Sequence, residues 1–285
     1  MTLHRAAVVS WAITPCAGLD GFLEHMTRLV RQAHAEGADL VVLPECIDLE
    51  RLSYAPADLP AIEMATWLAQ DVPAVERHVL QLSQAYSLTL VAGTHLVMTD
   101  SGPQNHALMG VQGRRYRQPK VTLTQFESVE WGIQPGNGVK PIPTDPPLGV
   151  AVCYDIEFPA CAETLTEAGS LALAVPAFTE TIRGFQRVRW CAQARATERQ
   201  VFVLHASLVG SLNQEPVPTT YGSSAILTPS VVPFPPAAIL AETPMNQEAV
   251  AVADLDWESM LAARESDDVR NWHDRRRGDY RLISD

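Results

Sequence analysis

The apolar positions change period several times along the chain, and each change marks an element. Ala6 to Val9 is a short unbroken apolar run, the pattern of a strand buried on both faces. From Leu19 the apolar residues fall at Leu19, Phe22, Leu23, Met26, Leu29, Val30 and Ala33, the spacing of one helix face, with Asp20 early and Gly37 placed to stop it. A second buried strand fits Asp39 to Leu43 and ends at Pro44. Helical patterns cover Ala61 to Gln70 and Pro73 to Tyr86, and a strand rich in Thr and Val follows from Leu88 to Met98. His106 to Gln112 and Arg114 to Gln118 read as a hairpin turning at Gly113. The stretch 132–147, dense in Gly and Pro, reads as a loop, and Leu148 to Cys153 as another buried strand. A helix over Pro159 to Ala168, a strand over Leu171 to Val175, an amphipathic helix over Phe185 to Arg199 and a strand over Val201 to Ala206 come next. Later strands fit Ser223 to Leu227, Ala238 to Glu242 and Ala249 to Asp254, before a short helix and a polar, Arg-rich tail from about residue 265.

Strands alternating with helices predict an α/β fold with a packed sheet core, and the hairpin strands predict mixed rather than purely parallel sheets. With no short-period repeat and no composition break, residues 1–285 read as one unit. A formal charge of -12 argues against non-specific nucleic-acid binding, which needs a cationic surface. The basic clusters Arg114, Arg115, Arg117 and Arg275, Arg276, Arg277 read as solvated or interface surface. No apolar run reaches the ~18 residues of a membrane span. The N-terminal run reads as the first core strand rather than a secretion signal, and five cysteines without paired spacing fit a reducing compartment, so the expected location is cytoplasmic.

Three polar residues stand at the ends of apolar or strand-like runs: Glu45 in LVVLPE, Lys120 in RQPK and Cys153 in LGVAVCYD. Strand ends are where α/β proteins place their sites. A thiol there is a nucleophile once a neighbour takes its proton, a carboxylate can take it, and a compact ammonium can hold a developing oxyanion. Lys120 shares the chain's lysines with Lys140 alone, against nineteen arginines. The other cysteines read as structural, and His205 as a core histidine. Zinc-ligand spacing, a Gly-rich phosphate loop and a GxSxG elbow are all missing; Ser223-Ser224 allows a Ser-Ser-Lys amidase as a distant alternative.

Taken together, LPE at 43–45, PK at 119–120 and CYDIEFP at 153–159 resemble the nitrilase superfamily of carbon–nitrogen hydrolases. The segments KVTLTQFESVEWGIQPG, RVRWCAQARATERQVFVLHAS and YGSSAILTPS resemble the family's lysine, helix–strand and strand–turn segments, in the family's order. The wording from Lys120 onward, including SDDVRNWHDRRRGDY, is closest to an amidohydrolase branch often fused to a GNAT acetyltransferase domain, which these 285 residues do not include. The chain departs from the family at Arg199, where Asn is common, and at Ala160, where Glu is usual.

The resemblance implies a four-layer α-β-β-α sandwich with mixed sheets, a homodimer packed through outer helices, and no metal or organic cofactor. It implies a catalytic Glu45–Lys120–Cys153 triad, with Glu127 as a second glutamate supporting the lysine and the Tyr154 backbone N–H as an oxyanion donor. The expected reaction is hydrolysis of a small-molecule amide or carbamoyl C–N bond through a thioester. Nitrile hydrolysis and acyl transfer to an amine are alternatives for the same triad, and a catalytically silent binding protein is the alternative of another class. Trp131, Tyr154, Glu157, Phe178 and Thr179 flank these motifs and are expected in the pocket wall; Arg183 and Arg187 are candidates to clamp a substrate carboxylate.

Overall fold

The computed structural model describes residues 3–213, 215, 217 and 219–275. In chain order the elements are β1 (Arg5–Ile13), α1 (Gly18–Ala35), β2 (Leu40–Val42), α2 (Ala61–Ala69), α3 (Val72–Ala85), β3 (Thr89–Thr99), β4 (Gly102–Val111), β5 (Arg114–Pro119) and α4 (Gln125–Val129). They continue with β6 (Leu148–Val150), α5 (Pro159–Glu167), β7 (Ala172–Ala177), α6 (Ile182–Arg199), β8 (Phe202–Gly210), β9 (Ala225–Leu227), β10 (Ile239–Glu242), β11 (Ala249–Asp254), α7 (Trp257–Glu265) and α8 (Asn271–Asp274).

Two sheets form the centre. In the first, β1, β2 and β3 are parallel, β11 is antiparallel to β1, and β4 and β5 continue the other edge as antiparallel strands. In the second, β6, β7 and β8 are parallel, and β9 and β10 follow antiparallel. The sheets join where Trp11–Ile13 pair with Leu208–Gly210. Close approach there requires Gly210, since a Cβ on it would lie 2.7 Å from the Ile13 carbonyl oxygen. A buried hydroxyl cluster beside the seam links Ser10 to Ser224 at 2.9 Å and to Thr243 at 2.7 Å.

Burial on both faces explains the apolar runs. In β1, Ala6 and Val8 enter the core shared with the second sheet, whereas Ala7, Val9 and Trp11 face the layer containing α1, α2 and α3. The stripe Phe22, Met26, Leu29, Val30 and Ala33 is the buried side of α1. Helices α5 and α6 cover the second sheet, completing the α-β-β-α order.

Several boundaries differ from the sequence expectation. The hairpin strand β4 begins at Gly102, before the expected His106, because its register with β3 runs on to Thr99. Strand β6 ends at Val150, short of Cys153, and Cys153 opens a 3₁₀ turn over Cys153–Glu157. The buried face of α6 carries Arg189, Arg195 and Arg199. These guanidinium groups find partners: Arg189 donates to Glu242 and the Ser223 carbonyl, Arg195 to Glu198 and the Ile156 carbonyl, Arg199 to Glu167 and Thr166. The tail expected from about residue 265 contains α8, whose Trp272 ring lies between Arg264 and Arg275, with guanidinium carbons 3.8 and 3.5 Å from its centroid. Arg115 and Arg117 pair with Glu76, and Arg275 with Glu167; Arg276 and Arg277 lie outside the described residues. No described helix is long and apolar enough to cross a membrane.

Candidate active site

Each motif residue is held where a strand ends and the chain turns. Glu45 follows β2 and Pro44, and the turn is tight. Gly93 of β3 has φ +70°, and a Cβ there would lie 2.1 Å from the Pro44 carbonyl oxygen. Cys46 takes a left-handed φ of +54°, its N–H donating to Thr94 Oγ1 at 2.9 Å. Lys120 follows β5, fixed by its N–H to the Asn105 carbonyl and its own carbonyl from Gly136 N–H, both at 2.8 Å. Cys153 has φ +46°, a strained region for a residue with a Cβ. The buried Asp155 carboxylate accepts from the Val121 and Thr122 N–H groups at 3.2 and 2.6 Å, tying the lysine segment to the cysteine turn. Arg195 of α6 holds that turn from behind through the Ile156 carbonyl.

These turns bring Glu45, Lys120, Glu127 and Cys153 together, all buried at 6% exposure or less. Lys120 Nζ donates to Glu45 Oε1 at 2.8 Å and to Glu127 Oε2 at 2.7 Å. Glu127 comes from α4, a short helix the hydrophobic pattern does not reveal. A capping box sets it: Thr124 Oγ1 accepts from Glu127 N–H, and Thr124 N–H donates to Glu127 Oε2 at 2.9 Å. The second oxygen of Glu45 accepts from Phe178 N–H at 3.1 Å, and the Cys153 thiol donates to the Phe178 carbonyl at 3.5 Å. One peptide strand after β7 thus contacts both the carboxylate and the thiol.

The electrostatics follow from burial. Desolvation raises Glu45 above the usual carboxylate range, although Lys120 opposes it. Glu127 is lowered: burial pushes its pKa up, but Lys120 and the Thr124 and Asn105 donors outweigh it. Burial would strip the proton from Lys120, yet the two carboxylates hold it well above its ordinary value. Burial and the neighbouring Glu45 charge raise the Cys153 thiol well above its usual value, so the resting thiol is protonated.

The cluster forms the floor of a cavity of about 410 Å³. Its wall includes Phe126, Trp131, Tyr154, Glu157, Phe178 and Thr179, with Arg187 at the side. Arg187 sits 3.7 Å from Glu157 as a loose ion pair. Arg183 does not line the cavity: it is exposed on the first turn of α6, where the helical period turns Gly184, Arg187 and Val188 to the cavity instead. Ser224 belongs to the buried hydroxyl cluster and the Ser223 hydroxyl lies against Arg189 and Glu242, neither serine lining the cavity, and His205 is a buried core residue.

The sequence reading missed Asn105, whose Nδ2 reaches both Glu45 and Glu127, and missed Cys46 in the cavity lining. Among the described residues no group of His, Cys, Asp and Glu is arranged to hold a metal ion.

The carbon-nitrogen hydrolase family pattern matches this chain over residues 5–265. The chain belongs to the carbon-nitrogen hydrolase family. Within that family it is 30% identical over 283 residues to the Bacillus subtilis protein named Probable hydrolase YhcX, a match covering 98% of this chain and 55% of that protein. This hydrolase chain therefore spans about half the length of that relative. It is 25% identical over 283 residues to the Omega-amidase NIT2 of Xenopus tropicalis, covering 95% of each. The solved structure of Saccharomyces cerevisiae Nit3, described as a member of branch 10 of the nitrilase superfamily, shares the fold with a TM-score of 0.75. It is 24% identical, over 93% of this chain and 94% of that one. The nitrilase-like α/β fold expected from the sequence is therefore the fold of this carbon-nitrogen hydrolase.

Proposed function

We propose that the protein hydrolyses the C–N bond of a small-molecule amide or carbamoyl compound through a thioester on Cys153. The observation that carries this reading is a buried ammonium clamped by two carboxylates beside a buried thiol, on the floor of a cavity. Glu45 takes the Cys153 proton as sulfur attacks the carbonyl carbon. This moves a proton from one buried group to another without changing the net charge of the cavity, which suits a thiol whose free ionisation burial disfavours. Lys120 Nζ and the Tyr154 backbone N–H hold the resulting oxyanion. Glu45 passes its proton to the leaving nitrogen, the C–N bond breaks, and ammonia or an amine departs. Glu45 then deprotonates water, which attacks the thioester; the acid leaves and the proton returns to sulfur.

The names of related amidases support an amide over a nitrile. The tail wording supports placement in the branch often fused to a GNAT domain. The proposed surroundings are cytoplasmic, with the chain as a homodimer. Supplying a panel of short amides and matched nitriles and measuring ammonia tests the reaction class. Release from amides that disappears in Cys153→Ala is the expected result; equal release by that variant would overturn the assignment.

A further inference from the structure

Asn105 closes a ring that the triad alone leaves open. Its Nδ2 donates to Glu45 Oε1 at 3.0 Å and to Glu127 Oε1 at 3.3 Å, while Lys120 bridges the same two carboxylates through Glu45 Oε1 and Glu127 Oε2. Two donors, one charged and one neutral, therefore join two carboxylates that would otherwise repel. The orientation of the amide follows, because flipping it would aim its oxygen at both anions. Asn105 Oδ1 is buried and makes no hydrogen bond with a protein group. A side chain engaged only through its donor half is one kept for donation. The backbone supports it: Asn105 lies on β4 opposite Leu96 of β3, and its carbonyl accepts the Lys120 N–H. The same residue thus fixes the lysine's main chain and both of its carboxylate partners.

We infer that Asn105 is a positioning residue that keeps Glu45 ionised and aligned to receive the Cys153 proton. The inference deepens the proposed function and rests on Glu45 being the base. A hydrogen bond donated to a carboxylate favours its charged form, so Asn105 limits how far burial lifts Glu45. It also leaves Glu45 Oε1 fully occupied by Lys120 and Asn105. The proton is then received at Oε2, the oxygen held by Phe178 N–H, whose own residue carbonyl accepts from the thiol.

The test needs no knowledge of the substrate. The rate of Cys153 alkylation by iodoacetamide, read on the Cys153 peptide by mass spectrometry across pH, reports transfer of the thiol proton to Glu45. Asn105→Leu keeps the shape and removes the donors; Asn105→Ala reads the same quantity should leucine not be accommodated. The expected result is a midpoint displaced upward by about one to two pH units, with alkylation slowed about 10- to 100-fold at pH values below the wild-type midpoint, as for loss of one charge-assisted hydrogen bond. A wild-type midpoint in a folded variant that is merely less heat-stable would show a structural role only and overturn the inference. Glu45→Gln separates the two readings. If the pH limb vanishes in that variant while Asn105→Leu keeps the wild-type midpoint, only the role of Asn105 falls. If the limb survives in Glu45→Gln, the base assignment falls and the inference with it.

Discussion

Lys120 is a buried ammonium whose charge two carboxylates maintain, and its compactness matters as much as its sign. A guanidinium is a planar fork too large for the same space, so Lys120→Arg is expected to lose roughly 10²-fold or more in kcat/KM, the scale of an oxyanion donor. Steady-state kinetics on any amide that turns over will measure it. As the proposed base, Glu45 is expected to set the acid side of the pH profile. Its pKa is raised by burial, so the base is protonated and activity is lost as pH falls through a value above the ordinary carboxylate range. A limb at the ordinary value of 4.5 would contradict that assignment. The proposed triad residues are conspicuous in the sequence because each stands at the end of an apolar or strand-like run. Asn105 is not, because in the strand PQNHALMGV it looks like any polar residue of a hairpin. Its importance comes from two carboxylates that reach it from 60 and 22 residues away. Cys46 is hidden for a similar reason: a lone cysteine reads as core, and only the left-handed turn after Glu45 brings it to the cavity wall.

At the scale of elements, two local devices place the proposed catalytic groups. Thr124 caps α4 and holds Glu127 by its N–H and its carboxylate. Thr124→Ala is expected to cost about 1 kcal/mol of stability, the usual cap contribution. It should lower kcat/KM as well, because Glu127 loses its fixed position beside Lys120; thermal denaturation and kinetics together check both effects. Gly93 makes room for the Pro44 carbonyl, so Gly93→Ala should destabilise the fold by several kcal/mol or displace the Glu45 turn, read as reduced melting temperature and lost activity. The long elements are legible from periodicity, since both-face burial of the central strands and one-face burial of α1 follow directly from the apolar pattern. The five-residue α4 is too short to show a period, and the early end of β6 depends on the 3₁₀ turn at Cys153. The buried arginines of α6 look exposed in sequence because their partners, the carbonyls of Ser223 and Ile156, belong to distant segments.

At the scale of the whole molecule, a charged network ties α1 to the 3₁₀ segment Ile47–Tyr54 and to the residue before β11. His25 Nδ1 lies 2.9 Å from Glu50 Oε1 and its Nε2 lies 2.7 Å from Glu248 Oε2, with Arg28 also on Glu248. Burial works against the imidazolium, but the hydrogen bonds to Glu248 and Glu50 outweigh it and raise His25 to about 9. Burial likewise opposes Glu248, yet His25 and Arg28 lower it to about 2. A raised histidine stabilises the fold fully below its unfolded value of 6.5, and that contribution is lost as pH rises through about 9. A lowered glutamate stabilises fully above its unfolded value of 4.5, and that contribution is lost as pH falls through about 2. Stability from this network should therefore be greatest between the two unfolded values, and His25→Gln should flatten the alkaline fall in melting temperature. The proposed homodimer belongs to the same scale. Ile182 and Trp190 of α6 and Phe158 beside α5 are exposed on the outer layer, at 52%, 62% and 39%. Light scattering should give a dimer mass that Trp190→Glu reduces to a monomer.

The most direct test of the chemistry is intact-mass spectrometry of the wild-type protein, quenched in acid during turnover of a small amide. The account predicts an added mass equal to the acyl group, located on the Cys153 peptide and missing in Cys153→Ala. Turnover with no acyl adduct on Cys153, unchanged by that substitution, would contradict it.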